Sequence, residues 1–188
     1  AGLLWIATDK GIAQYVKDCE TKKFFYRYHF PLQDGAERLT VFDLFEKEKG
    51  KLWCATDGQG IWIFDNEKEM FSQQISTFDS LQTLNSDVVY SIFRDTKQQI
   101  WIGTDKGLSR LRQKYDTENL LFETYTSNYN EAYSLSNNSV RDIYQDHSGV
   151  LWIGTYYGGL NKYNVNAKPF HHYKLTGRFK NHAANNTI

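Results

Sequence analysis

Apolar positions in this chain fall in short runs bounded by turn formers, with no stripe at helical spacing over a useful length. Ile100-Trp101-Ile102-Gly103 and Leu151-Trp152-Ile153-Gly154 lack a polar member, as does Leu52-Trp53-Cys54-Ala55. Runs of this length and composition predict strands covered on both faces. Each ends in Thr and a polar turn closed by glycine: Thr8 to Gly11, Thr56 to Gly60, Thr104 to Gly107 and Thr155 to Gly159. The glycine predicts a hairpin connection that needs a left-handed backbone.

The same string therefore occurs four times. Trp5, Trp53, Trp101 and Trp152 lie 48, 48 and 51 residues apart. Nine residues before the last three tryptophans stand Leu44, Ile92 and Ile143, with Val41, Val89 and Val140 three residues earlier, which predicts a strand preceding each Trp strand. Lys47 to Gly50, Asp95 to Gln98 and Asp146 to Gly149 read as the tight turns between them, Gln98 standing where the others have glycine. A third strand follows each hairpin glycine. A fourth is marked by Phe25 to Tyr28, Phe122 to Tyr125 and Phe170 to Tyr173, with Phe71 to Gln74 departing from that form.

Four short antiparallel strands in each repeat of ~50 residues predict an all-β fold of β-propeller blades. The blades are placed at 1–35, lacking a first strand, then 36–83, 84–134 and 135–184. Residues 185–188 match Asn137 to Val140 and so read as the start of a further blade. The chain is expected to be an incomplete segment of a larger propeller, whose unpaired edges favour self-association or a homodimer. Each Trp shares its strand face with a small residue, Ala7, Ala55, Gly103 or Gly154, leaving room for a ring from a neighbouring blade. Loss of Trp101 or Trp152 is expected to cost ~3–5 kcal/mol.

Composition narrows the functions. The 22 basic and 22 acidic residues of this 188-residue chain cancel, so it lacks the basic footprint that nucleic acid or an anionic membrane requires. Aromatic residues make up 16% against only 2 prolines, which excludes a disordered linker. No apolar run reaches the ~18–20 residues of a membrane helix. Of the two cysteines, Cys54 fills a slot held by Ile in other repeats and reads as a small buried hydrophobe; a bridge to Cys19 stays open.

Asp9, Asp57 and Asp105 recur at one turn position and read as turn formers, not catalytic carboxylates. In the fourth repeat that turn becomes Tyr156-Tyr157-Gly158-Gly159. Two rings at a hairpin tip can stack on sugar faces, or can pack on a neighbouring blade. Propeller ligands commonly sit where the loop preceding each first strand meets the second-to-third strand turn. That places Asn85, Asn137, Asn138 and Arg141 with Gln59, Asp105 and Lys106 as candidate ligand contacts, each of which can equally be a turn residue. His171 and His172 are strand neighbours on opposite faces and cannot simply chelate one ion. No nucleophile motif, phosphate loop or metal motif is present, so no catalytic residue, metal or cofactor is expected.

The strings Val89 to Asp95, Leu151 to Thr155, Gly158 to Tyr163 and Phe170 to Tyr173 together resemble the two-component regulator propeller repeat. The whole chain resembles the sensor region of Bacteroides-type hybrid two-component proteins. The resemblance implies a periplasmic segment of an inner-membrane sensor histidine kinase, not itself an enzyme. It implies an oligosaccharide ligand, with the remaining blades of the parent chain as partners and polysaccharide-use genes as the output. Two alternatives stand beside it: a protein-binding propeller scaffold, and a propeller glycoside hydrolase or lyase, for which no acid/base pair outside the repeat register is found. The segment from Asp146 to Trp152 also looks like the Asp-box turn of sialidase-like propellers, a structural element.

Overall fold

The computed structural model describes residues 4–17, 20, 24–29, 39–75, 84–112, 121–131, 133–164 and 170–173. They form fifteen strands in four antiparallel sheets. The first sheet has three strands, β1 (Leu4–Thr8), β2 (Gly11–Lys17) and β3 (Phe24–His29). The second runs β4 (Val41–Glu48), β5 (Lys51–Thr56), β6 (Ile61–Asp65), β7 (Met70–Ile75). The third holds β8 (Val89–Arg94), β9 (Ile100–Thr104), β10 (Gly107–Arg112) and β11 (Leu121–Tyr125). The fourth holds β12 (Val140–Gln145), β13 (Val150–Thr155), β14 (Gly159–Asn164) and β15 (Phe170–Tyr173). Each sheet is a meander in sequence order, and β4, β8 and β12 pack beside one another as the inner strands.

The period of two along each Trp strand divides the core. Leu52 and Cys54 of β5 face the first sheet with Ile12, Trp62 and Phe64, while Trp53 and Ala55 face the third sheet with Val89, Ile92 and Ile102. One repeat later Trp101 turns toward Leu135, Val140, Ile143, Leu151 and Ile153 of the fourth. Trp5, Trp53 and Trp101 thus lean on the following blade, and the strand neighbours of Trp53 and Trp101 lean on the preceding one. Trp101 is fully buried, and an aromatic of that size removes ~150–250 Å² from water, worth roughly 4–6 kcal/mol before entropy is counted. Cys54 is a free, buried thiol whose pKa burial pushes up, so it behaves as a small hydrophobe. Cys19 lies outside the described residues.

Trp152 departs from the expectation. No sheet among the described residues covers its side of β13; it lines an open cavity of about 490 Å³ with Asp142, Tyr144, Gly154, Gly159 and Leu160, and is only half-buried. The expected loss for Trp152 is accordingly smaller than for Trp101. Its small partner shows the same contrast. A Cβ on Gly103 would stand 2.9 Å from the Val140 side chain across the blade boundary, whereas one on Gly154 would meet nothing closer than 3.8 Å.

Two turn expectations resolve differently. Gly11, Gly60, Gly107 and Gly159 all have positive φ, and in every repeat the preceding Thr hydroxyl donates to the glycine carbonyl at 2.7–2.9 Å. Gln98 keeps the left-handed backbone of its glycine counterparts, with φ 63°. Between β4 and β5 the turn is tighter than read: Lys47 and Glu48 stay in the strand, a bulge lies between Glu46 and Glu48, and only Lys49 and Gly50 turn. Lys47 stands where the other repeats have the turn-forming Asp, and the Glu46 carboxylate accepts from Gly50 N instead.

Candidate functional site

The inner strands share one irregularity. The pairing of β4 with β5 slips between Val41 and Asp43, that of β8 with β9 between Val89 and Ser91, and that of β12 with β13 between Val140 and Asp142. The extra residue in each case is Phe42, Tyr90 or Arg141. A bulge leaves its residue outside the ladder and re-aims the side chain. Here three bulges at one repeat position line up three side chains across three blades.

They touch. The Phe42 and Tyr90 rings are 5.4 Å apart between centroids, and the Arg141 guanidinium carbon lies 3.8 Å over Tyr90. The same guanidinium stands 4.6 Å from the Tyr156 ring, which meets Tyr157 edge-on at 4.2 Å. Phe42, Tyr156 and Tyr157 are 43%, 41% and 69% exposed. An aromatic rim with one cation thus faces solvent. The Tyr157 phenol is raised above its ordinary pKa, first by its hydroxyl interaction with Tyr156 and against the charge of Arg141, so the Tyr157 ring stays neutral at physiological pH.

Local chemistry fixes the tyrosine turn. Tyr156 N donates to Ser139 O at 2.9 Å, the bond that Asp57 N makes to Thr40 O and Asp105 N to Val88 O in earlier repeats. A Cβ on Gly158 would collide with Ser136 Oγ and fall 2.8 Å from the Asn137 Cβ, so the turn closes tightly on the loop before β12. Asn161, fully buried, braces that loop by accepting from Ser136 N and donating to Ser136 Oγ, both at 2.9 Å.

The amide candidates are occupied differently. Asn85 Oδ1 accepts from the Thr104 and Ser109 hydroxyls inside the third blade. Asn137 Oδ1 accepts from Ser139 N and Asn138 Oδ1 from Ser127 N, both holding loop backbone. Asp105 accepts from the Ser86 hydroxyl, and Lys106 N donates to Thr104 Oγ1. Gln59 sits in the β5–β6 turn next to Gly60, whose N–H reaches Asp87 O of the next blade. Of the sequence candidates, the structure gathers Arg141 and Tyr157 on either side of Tyr156, and Asn137 and Asn138 support the loop beside them. Sequence reasoning missed Phe42 and Tyr90, although both follow the repeated valine directly, as Arg141 does.

Away from this rim, Asp95 and Asp146 each build a turn. Asp146 Oδ1 accepts from Ser148 N, Ser148 Oγ and Val150 N while Oδ2 accepts from the Trp152 indole at 2.8 Å; Asp95 does the same for Lys97 N, Gln99 N and Trp101. The Ser148 and Trp152 donors hold the Asp146 carboxyl well below the usual carboxylate range. These acids are consumed by structure. Among the described residues no group of three or more His, Cys, Asp or Glu could hold a metal ion. His171 and His172 lie on β15, paired with Lys162 and Asn161.

Comparison with known proteins agrees with this architecture. Residues 83–106 and 134–157 match the family described as two component regulator propeller. A 96-residue stretch is 31% identical to histidine kinase P4 of Formosa agariphila, covering 51% of this chain and 7% of that protein. Two solved extracellular domains of hybrid two component systems from B. thetaiotaomicron superpose with TM-scores of 0.69 and 0.67 at 21% identity, covering 94% and 95% of this chain. The chain spans 24% and 23% of those two domains, and under a tenth of the kinase. At that identity the superpositions establish the propeller fold, and the family match is carried by the two segments 83–106 and 134–157.

Proposed function

We propose that this chain, two segments of which match the two component regulator propeller family, is an extracytoplasmic ligand-sensing segment of a hybrid two-component signalling protein. Its signal is a glycan fragment, and its output is the expression of polysaccharide-use genes. The supporting observation is the partly exposed rim of Tyr90, Arg141, Tyr156 and Tyr157 at the loop end of the inner strands, set against Asp43, Asp95 and Asp146, whose carboxylates serve a blade contact and two turns. Aromatic faces against the apolar faces of a sugar, with a few polar anchors, are the usual recipe of such sites. The chain itself catalyses nothing on this reading; the kinase belongs to the parent protein, in the periplasm-spanning part of which this segment sits beside further blades. Binding acts by favouring one of two arrangements of propeller-bearing chains, in proportion to the difference in affinity.

Titration calorimetry of the chain against a panel of neutral and acidic oligosaccharides tests the reading. At least one binds, and the Tyr156→Ala/Tyr157→Ala variant loses it while keeping its far-UV spectrum. A folded chain that binds none of the panel and instead forms a stable oligomer would replace this reading with a protein-binding scaffold.

A further inference from the structure

Arg141 stands apart among the described arginines. Arg27, Arg110 and Arg112 all have a glutamate, and Arg94 donates to the Lys47 carbonyl of the neighbouring blade. Arg141 has neither: among the described residues no carboxylate and no carbonyl lies within bonding distance of it. Its contacts are with Tyr90 at 3.8 Å and Tyr156 at 4.6 Å, so the rings orient the guanidinium through its faces while its in-plane N–H donors stay open to solvent. Holding a cation on two aromatic rings at the position of a bulge is not needed to close the sheet. The second repeat places Phe42 there and the third Tyr90, and both complete their pairing.

We propose that this rim binds a uronic acid residue within an oligosaccharide, the sugar carboxylate taking the fork of Arg141 and the pyranose ring lying on the neighbouring aromatic faces. This inference rests on the glycan-sensing reading above and names its ligand class. A planar carboxylate is the acceptor that matches two parallel guanidinium donors, and such charge-assisted pairs are shorter and stronger than neutral ones. A neutral sugar would cover Arg141 without giving its donors a charged partner. Phe42 and Tyr157 extend the aromatic surface on either side, over a width set by three blades.

The test titrates the chain with three probes of matched length: an oligogalacturonate, a neutral galactose oligomer and a sulfated galactose oligomer. The inference expects the oligogalacturonate to bind at least tenfold more tightly than both others. Arg141→Gln should weaken it tenfold or more and erase that preference. Arg141→Lys, which keeps the charge and loses the fork, should recover only part. Arg141 is exposed, so both variants should melt with the parent. Equal binding of neutral and acidic oligomers, lost in Tyr156→Ala/Tyr157→Ala but not in Arg141→Gln, would overturn the uronate while leaving glycan sensing intact. Preference for the sulfated oligomer would overturn the carboxylate. Failure of all three probes while another oligosaccharide binds overturns the uronate alone, and failure of every saccharide overturns both readings.

Discussion

At the scale of single residues, the turns carry the sharpest consequences. Gln98 holds a left-handed φ of 63° that its counterparts Gly50 and Gly149 adopt freely. A non-glycine residue there costs roughly 1–2 kcal/mol, against ~0.5–1 kcal/mol for the added freedom of glycine in the unfolded chain. Gln98→Gly is therefore expected to be neutral or to stabilise by up to about 1 kcal/mol in urea titration, and a loss would mean that the side chain itself contributes. Asp146 gives a pH signature. Its carboxyl is depressed in the folded chain by Ser148 and Trp152, so its contribution is fully present above the unfolded value near 4 and is lost as pH falls below that. Asp43 has the opposite sign, because burial outweighs its bonds to Ile92 N and Leu44 N and raises its pKa. Asp146→Asn should consequently be less stable at pH 7 and lose less on going from pH 5 to pH 2; a variant with the parent's acid profile would refute the assignment. The hairpin glycines were legible because glycine takes a positive φ at the least cost. The Thr hydroxyl clamp was not, since a strand-favouring Thr needs no further reason to stand there.

At the scale of the elements, the blade boundary is a contact between Trp of one sheet and small or branched residues of the next. The four Trp strings were legible because packing between two sheets leaves no polar position, a signature stronger than simple alternation. Their unequal burial was not legible. Trp101 and Trp152 have nearly the same local sequence, and only the presence of a covering sheet separates them. Trp101→Ala is expected to cost ~3–5 kcal/mol, and Trp152→Ala less than half of that. Gly103→Ala should cost ~1–3 kcal/mol by overpacking against Val140, while Gly154→Ala is tolerated. Parallel chemical denaturation of the four variants checks this, and equal losses at the two positions would contradict the packing described. The bulges also escaped the sequence. One extra residue leaves the spacing between valine and tryptophan unchanged from repeat to repeat, so Phe42 and Tyr90 read as ordinary strand residues.

For the whole molecule, repetition supplies the scaffold and departure from repetition supplies the site. Where the repeat consensus is kept, as at Trp101, Thr104 and Gly107, side chains serve packing or turns. Where it is broken, as at Arg141, Tyr156 and Tyr157, they meet at the solvent-facing end of the inner strands. On the function proposed above, this rim, with the loops 84–88 and 134–139 behind it, receives the saccharide. Hydrogen–deuterium exchange of the chain with and without a saturating oligosaccharide tests it most directly. Exchange should slow at 84–90, 134–142 and 156–158, with β7, β11 and β15 unchanged. Protection confined to the outer strands, or none with a ligand that calorimetry shows to be bound, would contradict it.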